Sequence, residues 1–174
     1  MAAILNHLSK DQPGHFRVCR STSEIDAATH AGAVAAVLHL EGAEPVSPTL
    51  EELDSFYTLG VRSIGPLWSR PNAFGTGVPF SFPGSPDQGA GLTDSGKALV
   101  KACDQMNILL DVSHLNEAGF WDISRLSQQP LLASHSNAHA LCPSPRNLTD
   151  RQLDAVAESG GLVGVCFATA YLRS

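Results

Sequence analysis

At 174 residues, with 43% hydrophobic residues and a mean hydropathy of zero, the chain has the makings of one buried core rather than of a disordered segment. A formal net charge of −6, with no run of Lys or Arg, leaves nucleic-acid binding without electrostatic support. No apolar stretch approaches the ~20 residues of a transmembrane helix, and the amino terminus lacks a basic start, so neither a membrane partner nor a secretory signal is expected.

In chain order, Phe16 to Arg20 is a short strand candidate. Ser23 to Gly32 reads as a helix with Ser23 as its cap and Gly32 as its stop. Val34 to Leu40 is apolar, strand-like and ends in Glu41-Gly42. Ser47-Pro48 opens a second helix with Leu50, Leu53, Phe56 and Tyr57 as its apolar stripe. It stops at Gly60, and Val61 to Ile64 resumes as a strand. Pro66 to Gly91 is proline- and glycine-rich without a helical period, and its Trp68, Phe74, Phe80 and Phe82 predict an ordered lid. Thr93 caps a helix to about Met106, which feeds a strand at Ile108 to Val112. Asn116 caps Glu117 to Leu126, followed by a strand from Leu131. Thr149-Asp150-Arg151-Gln152 is a capping box. That helix ends at Gly160-Gly161, and Leu162 to Phe167 forms a last strand. Cys19, Cys103, Cys142 and Cys166 are dispersed without a CxxC pair, which fits free thiols in a reducing cytoplasm.

Alternating strands and helices predict an α/β fold with a parallel sheet, either open or closed into a barrel. Two of the strands break off into Ser-His, at Ser113-His114 and Ser134-His135, one βα unit apart. A lone Ser-His after a strand is ordinarily a hydrogen-bonded loop. Repeated at a βα period, it lets both imidazoles converge on one metal ion at the carboxyl ends of neighbouring strands. Ligands spread over Glu41, His114 and His135 favour the barrel, whose sites draw on several strand ends.

Glu41 in HLEG, Leu59-Gly60-Val61-Arg62-Ser63, Gly91-Leu92-Thr93 with Gly96-Lys97, Asp111-Val112-Ser113-His114, Ser134-His135-Ser136-Asn137-Ala138 and Arg146-Asn147 fall in one order and spacing. Together they resemble the membrane (renal) dipeptidase family of zinc peptidases in its soluble bacterial form. The resemblance implies a TIM-like (β/α)8 barrel, of which residues 1–174 form a single incomplete domain with about five barrel strands. It implies two zinc ions, with Glu41 as bridging carboxylate and His114 and His135 as ligands. It further implies that Arg146 and Tyr171 hold the carboxylate of a dipeptide substrate, and that a metal-bound hydroxide cleaves the peptide bond.

Three departures temper that picture. None of the seven histidines is followed two residues later by Asp, so the family's His-x-Asp pair has no match. The first and last strands, the latter carrying an aspartate for the leaving-group proton, are expected to lie outside these residues. Trp68-Ser69 stands where the family has a further histidine. At most one zinc per chain is therefore expected, with a catalytically inactive remnant or binding module as the alternative to an active dipeptidase. Unpaired strand edges predict self-association. Among the remaining residues, His39 reads as a barrel-interior histidine, Asp111 as structural and His139 as a loop residue. His7, His15 and His30 read as surface.

Overall fold

The computed structural model describes residues 1–172. Val61–Gly65 (β4) is at the centre of the architecture and is buried on both faces, as a barrel strand between helices and interior must be. Leu38–Glu41 (β3) pairs with it in parallel, setting His39 against Ser63 and Glu41 against Gly65. Leu109–Leu110 (β5) lies along its other side. Phe16–Val18 (β1) pairs with Val34–Ala36 (β2), which only Val37 separates from β3. Leu132–Ser136 (β6) pairs with Leu162–Val165 (β7). A parallel bridge from Asp111 to Leu132, with Val112 N–H donating to Leu132 C=O at 2.8 Å, joins β5 to β6. The strands thus form a parallel wall in chain order, the arrangement of a partial βα barrel. The five barrel strands expected from the sequence are present, the first of them divided at Val37 into β2 and β3, and β1 is the short strand expected from Phe16.

Helices cross over between the strands: Thr22–His30 (α2), Leu53–Leu59 (α3), Asp94–Met106 (α4), Glu117–Leu126 (α5) and Asp150–Glu158 (α6). Thr93, Asn116 and the Thr149–Gln152 box cap α4, α5 and α6 as read from the sequence. Two helix starts differ. The α2 cap is Ser21, whose hydroxyl takes the Glu24 N–H, two residues before the expected Ser23. Ser47-Pro48 forms a turn, because the Glu52 carboxylate is captured by the N–H and hydroxyl of Ser47 at 2.8 and 2.7 Å. Leu50 then adopts φ 65°, so helical geometry begins only at Leu53. Gly60 closes α3 at φ 105°, a conformation that favours glycine.

A further helix, Ala2–Asp11 (α1), has no side-chain cap, and Ala2 and Leu5 on one face pack against the core. Tertiary contacts hold it instead: Asn6 donates to Leu59 C=O at 2.8 Å, and Ser9 accepts the Val18 N–H at 2.9 Å. The main core gathers Ile64, Phe74, Leu99, Ile108, Phe120 and Ile123, joining the wall, α4, α5 and the long loop. No helix among the described residues is long and apolar enough to cross a membrane.

Cys103 on α4 belongs to this core, and burial, aided by the Asp104 charge, pushes its thiol up to about 12. The folded state therefore keeps a proton that the unfolded thiol loses above its ordinary 9.0. Its contribution to stability is whole below that pH and is lost as pH rises toward about 12. Chemical denaturation across this range is expected to show a shallower alkaline fall in Cys103→Ala than in the unaltered chain. Equal slopes would refute the assignment.

Candidate metal centre

Three strands deliver one side chain each to the carboxyl end of the wall. Glu41 ends β3, His114 follows β5, and His135 lies in β6. Their donor atoms form a tight triangle. His114 Nε2 and His135 Nε2 are 3.0 Å apart, and Glu41 Oε1 lies 3.1 and 3.2 Å from them respectively. Tetrahedral zinc with N and O ligands at ~2.0–2.1 Å requires ligand-to-ligand edges of about 3.3–3.4 Å. The triangle comes within a few tenths of an ångström of that, and its donor set of two imidazoles and a carboxylate suits zinc. The residues fit a metal.

The surroundings keep the imidazoles available as lone-pair donors. His114 is 5% exposed, and burial, followed by the Arg146 charge and His135, depresses its pKa to about 4. It is neutral at pH 7. Its Nδ1 meets Ser69 Oγ at 2.9 Å, and His135 Nδ1 meets Ser134 Oγ at 2.7 Å. Such outer partners orient metal-ligating imidazoles. The pairing of β6 with β7 shifts register between Ala133 and Ser136, so Ser134 and His135 lie in an irregular stretch. That irregularity lets adjacent residues, which a regular strand would send to opposite faces, serve one cluster.

Arg146 lies beside the triangle and is 3% exposed. Its Nη2 donates to His135 C=O at 3.2 Å, while Nε and Nη1 have no hydrogen-bond partner among the described residues. Burial pulls its pKa below the ordinary value, against the pull of surrounding groups that include Cys166, Tyr171, Asp111 and Glu41. The guanidinium sits 6.0 Å from the Tyr171 ring centre. Tyr171 is brought there by a 3-10 turn, Thr169–Tyr171, whose C=O accepts from Asn137 and Asn147 at 3.1 and 2.9 Å. The two asparagines thus staple the Ser-His-Ser-Asn and Arg-Asn segments to one turn.

The Pro66 to Gly91 loop is tied over the strand ends. Phe74 is fully buried in the core. Val78 N–H donates to His114 C=O at 3.0 Å, and Gly84 N–H to Pro143 C=O at 2.8 Å. Gly77 passes so close to the Trp68 carbonyl that a Cβ would lie 1.9 Å from its oxygen. Trp68 stands 5.9 Å from the His114 ring and packs edge-on against Phe80 at 5.1 Å, giving the triangle an aromatic flank.

Of the sequence-derived site residues, Glu41, His114 and His135 form the triangle, Arg146 reaches the His135 carbonyl, and Tyr171 lies 6.0 Å from the Arg146 guanidinium. His39 stays outside the triangle, with Nδ1 3.0 Å from Ser63 Oγ and Nε2 3.6 Å from Asp111. His139 caps the long loop at Gly84 C=O. Sequence reasoning missed the partners Ser69 and Ser134. Their signal was adjacency, a serine beside each histidine motif or beside the tryptophan. A cavity of about 580 Å³ lies under α1 and contains none of the triangle's residues. It has few polar groups, so convergent chemistry rather than volume locates the site.

Comparisons with known proteins agree with this geometry. A protein encoded in the pqqA 5' region of Klebsiella pneumoniae is 49% identical over 172 residues, covering 99% of this chain and 64% of that protein. A metallopeptidase from Rhodobacter sphaeroides, solved with a phosphinate mimic of the dipeptide L-Ala-D-Ala, superposes with a TM-score of 0.96 at 53% identity. The match covers 99% of this chain and 49% of that one. The probable dipeptidase PvdM from Pseudomonas aeruginosa gives 0.89 at 30% identity, covering 99% of this chain and 44% of that structure. The chain therefore spans between 44% and 64% of the length of these relatives. The family profile described as membrane dipeptidase (peptidase family M19) matches residues 2–174, and the chain belongs to that metal-dependent peptidase family.

Proposed function

We propose that these residues serve zinc-dependent hydrolysis of dipeptides, with Glu41, His114 and His135 as metal ligands and with Arg146 and Tyr171 receiving the substrate carboxylate. The observation that carries this reading is the buried Arg146 guanidinium, with Nε and Nη1 unpartnered among the described residues beside a ready ligand triangle. A buried cation with free donors is costly unless an anion completes it, and a carboxylate matches its fork. Zinc in the triangle would supply a Lewis acid that activates water and polarises the scissile carbonyl. The protein's part is positional. Arg146 anchors the carboxylate end of the dipeptide, Tyr171 flanks it, and Trp68 with Phe80 shields one side of the site from water. We read the wall as part of one barrel domain. The four free cysteines support a cytoplasmic setting. Exposed Leu162, Val165 and Phe167 support self-association of this polypeptide along the β7 side.

A second reading, a metal- and carboxylate-binding module without turnover, is favoured by the single ligand group found among the described residues. Both readings require the carboxylate grip, which calorimetry tests directly. With zinc present, L-Ala-D-Ala or its phosphinate mimic should bind, and the carboxyl-amidated dipeptide should bind far more weakly. Arg146→Ala should lower affinity for the free acid by about 10–150-fold, the worth of a charge-assisted hydrogen bond. Arg146→Lys should restore only part of it, since an ammonium lacks the fork. Equal binding of the amide and the acid would sink the proposal.

A further inference from the structure

We propose that Asp111 is a positioning residue that fixes the tautomer of His135 through the hydroxyl of Ser134, thereby exposing the His135 Nε2 lone pair to the triangle. Asp111 follows β5 and is 3% exposed. Its Oδ1 accepts the N–H groups of Ser113 and Ser134, each at 3.0 Å, and the Ser113 hydroxyl at 2.5 Å. Its Oδ2 accepts the Ser134 hydroxyl. A carboxylate has no proton to give, so both hydroxyl protons point toward Asp111 and each serine oxygen is left with lone pairs. Ser113 Oγ uses one to accept the His135 backbone N–H at 3.1 Å. Ser134 Oγ lies 2.7 Å from His135 Nδ1, so the proton of that hydrogen bond belongs to Nδ1. A neutral imidazole carries one ring proton, and Nε2 is therefore bare. It faces Glu41 Oε1 at 3.2 Å and His114 Nε2 at 3.0 Å.

A purely structural role for Asp111, tying β5 to β6, makes a different prediction for Asp111→Asn. The amide oxygen still accepts from the two backbone N–H groups, so the tie survives. The opposite amide orientation would aim NH2 at those two donors and is disfavoured. The amide NH2 then donates to Ser134 Oγ. The Ser134 proton must turn to His135 Nδ1, and the ring is forced into the Nε2–H tautomer. The strand tie is preserved while the donor order is inverted.

The consequence for zinc rests on the metal reading above, but the tautomer does not. Long-range 1H–15N correlation spectra are read at neutral pH on the metal-free full chain carrying Glu41→Ala, which removes the carboxylate that otherwise draws a proton to Nε2. Neutral His135 should appear there as Nδ1–H. Adding Asp111→Asn should switch it to Nε2–H. In the chain that keeps Glu41, the same Asp111→Asn change should lower zinc affinity, read by competition with a chromophoric chelator, about 10–100-fold, as for other outer-sphere changes. Ser134→Ala removes the relay without touching the backbone tie and should show both tautomers populated. A His135 that remains purely Nδ1–H in Asp111→Asn, or in Ser134→Ala should the first variant not fold, overturns the inference whatever zinc does. Tautomer switching, with no zinc bound by the chain that keeps Glu41, would support the inference while sinking the metal reading.

Discussion

Purified residues 1–174 loaded with zinc are expected to release amino acids from dipeptides no faster than the His114→Ala variant does. Peptide hydrolysis needs an activated water, stabilisation of charge on the carbonyl oxygen and a proton for the leaving amine. The described residues contain one group of three ligands close enough to hold an ion. No histidine in the sequence begins a His-x-Asp pair that would supply the first metal site of the family. Among the described residues, the carboxylates at the triangle are committed, Glu41 to its two imidazoles and Asp111 to its serine hydrogen bonds, so neither is free to protonate an amine. Loss of a general acid typically costs 10²–10⁴-fold, and loss of a metal's charge stabilisation several kcal/mol more. The two need not add, yet either alone brings a hydrolase toward background. A panel of L,L and L,D dipeptides checks this. Turnover that vanishes in His114→Ala would mean that the triangle alone suffices.

Elemental analysis of the zinc-loaded chain should find one ion per chain, and His135→Ala or His114→Ala should remove it. Each substitution leaves two protein ligands, and two seldom hold zinc against a competing chelator. We expect affinity to fall by more than about 100-fold, beyond the 10–100-fold of outer-sphere changes. His135→Ala is the cleaner experiment, because its imidazole is 31% exposed whereas that of His114 is 5% exposed and packed against Trp68. Two stoichiometric ions in the unaltered chain would contradict the single triangle.

The fold was readable where the local chemistry is strong. Thr93, Asn116 and the Thr149–Gln152 box announce their helices by capping, and apolar runs announce the strands that become β4 and β6. It was unreadable where distant contacts decide. The first helix has no cap and is held by Leu59 and Val18, far along the chain or across a turn. Ser47-Pro48 has the chemistry of a helix start, but Glu52 folds back on it. At the site, Glu41, His114 and His135 were found because strand ends and repeated Ser-His carry a pattern. Asp111 was read as structural because regular alternation places it on the opposite face from His114. The neighbouring register shift, from Ala133 to Ser136, brings Ser134 to it and gives it a second role. Ser69 had no signal beyond its place after Trp68, because its partner His114 lies 45 positions away.

The chain-order pairing of the wall has a consequence for biosynthesis. Each strand docks against one that has already left the ribosome, so the wall can grow in the order of synthesis, although every parallel closure must wait for its crossover helix. The triangle is then assembled in the same order. Glu41 is in place when β4 docks beside β3, His114 joins it after α4 has crossed over, and the donor set is finished only when His135 emerges. On the proposed metal reading, capture of an ion therefore waits for His135, after the strands that carry Glu41 and His114 have been laid down, and Arg146 and Tyr171 follow. A nascent chain halted before Ser134 would hold two of the three donors, Glu41 and His114, and release its ion readily.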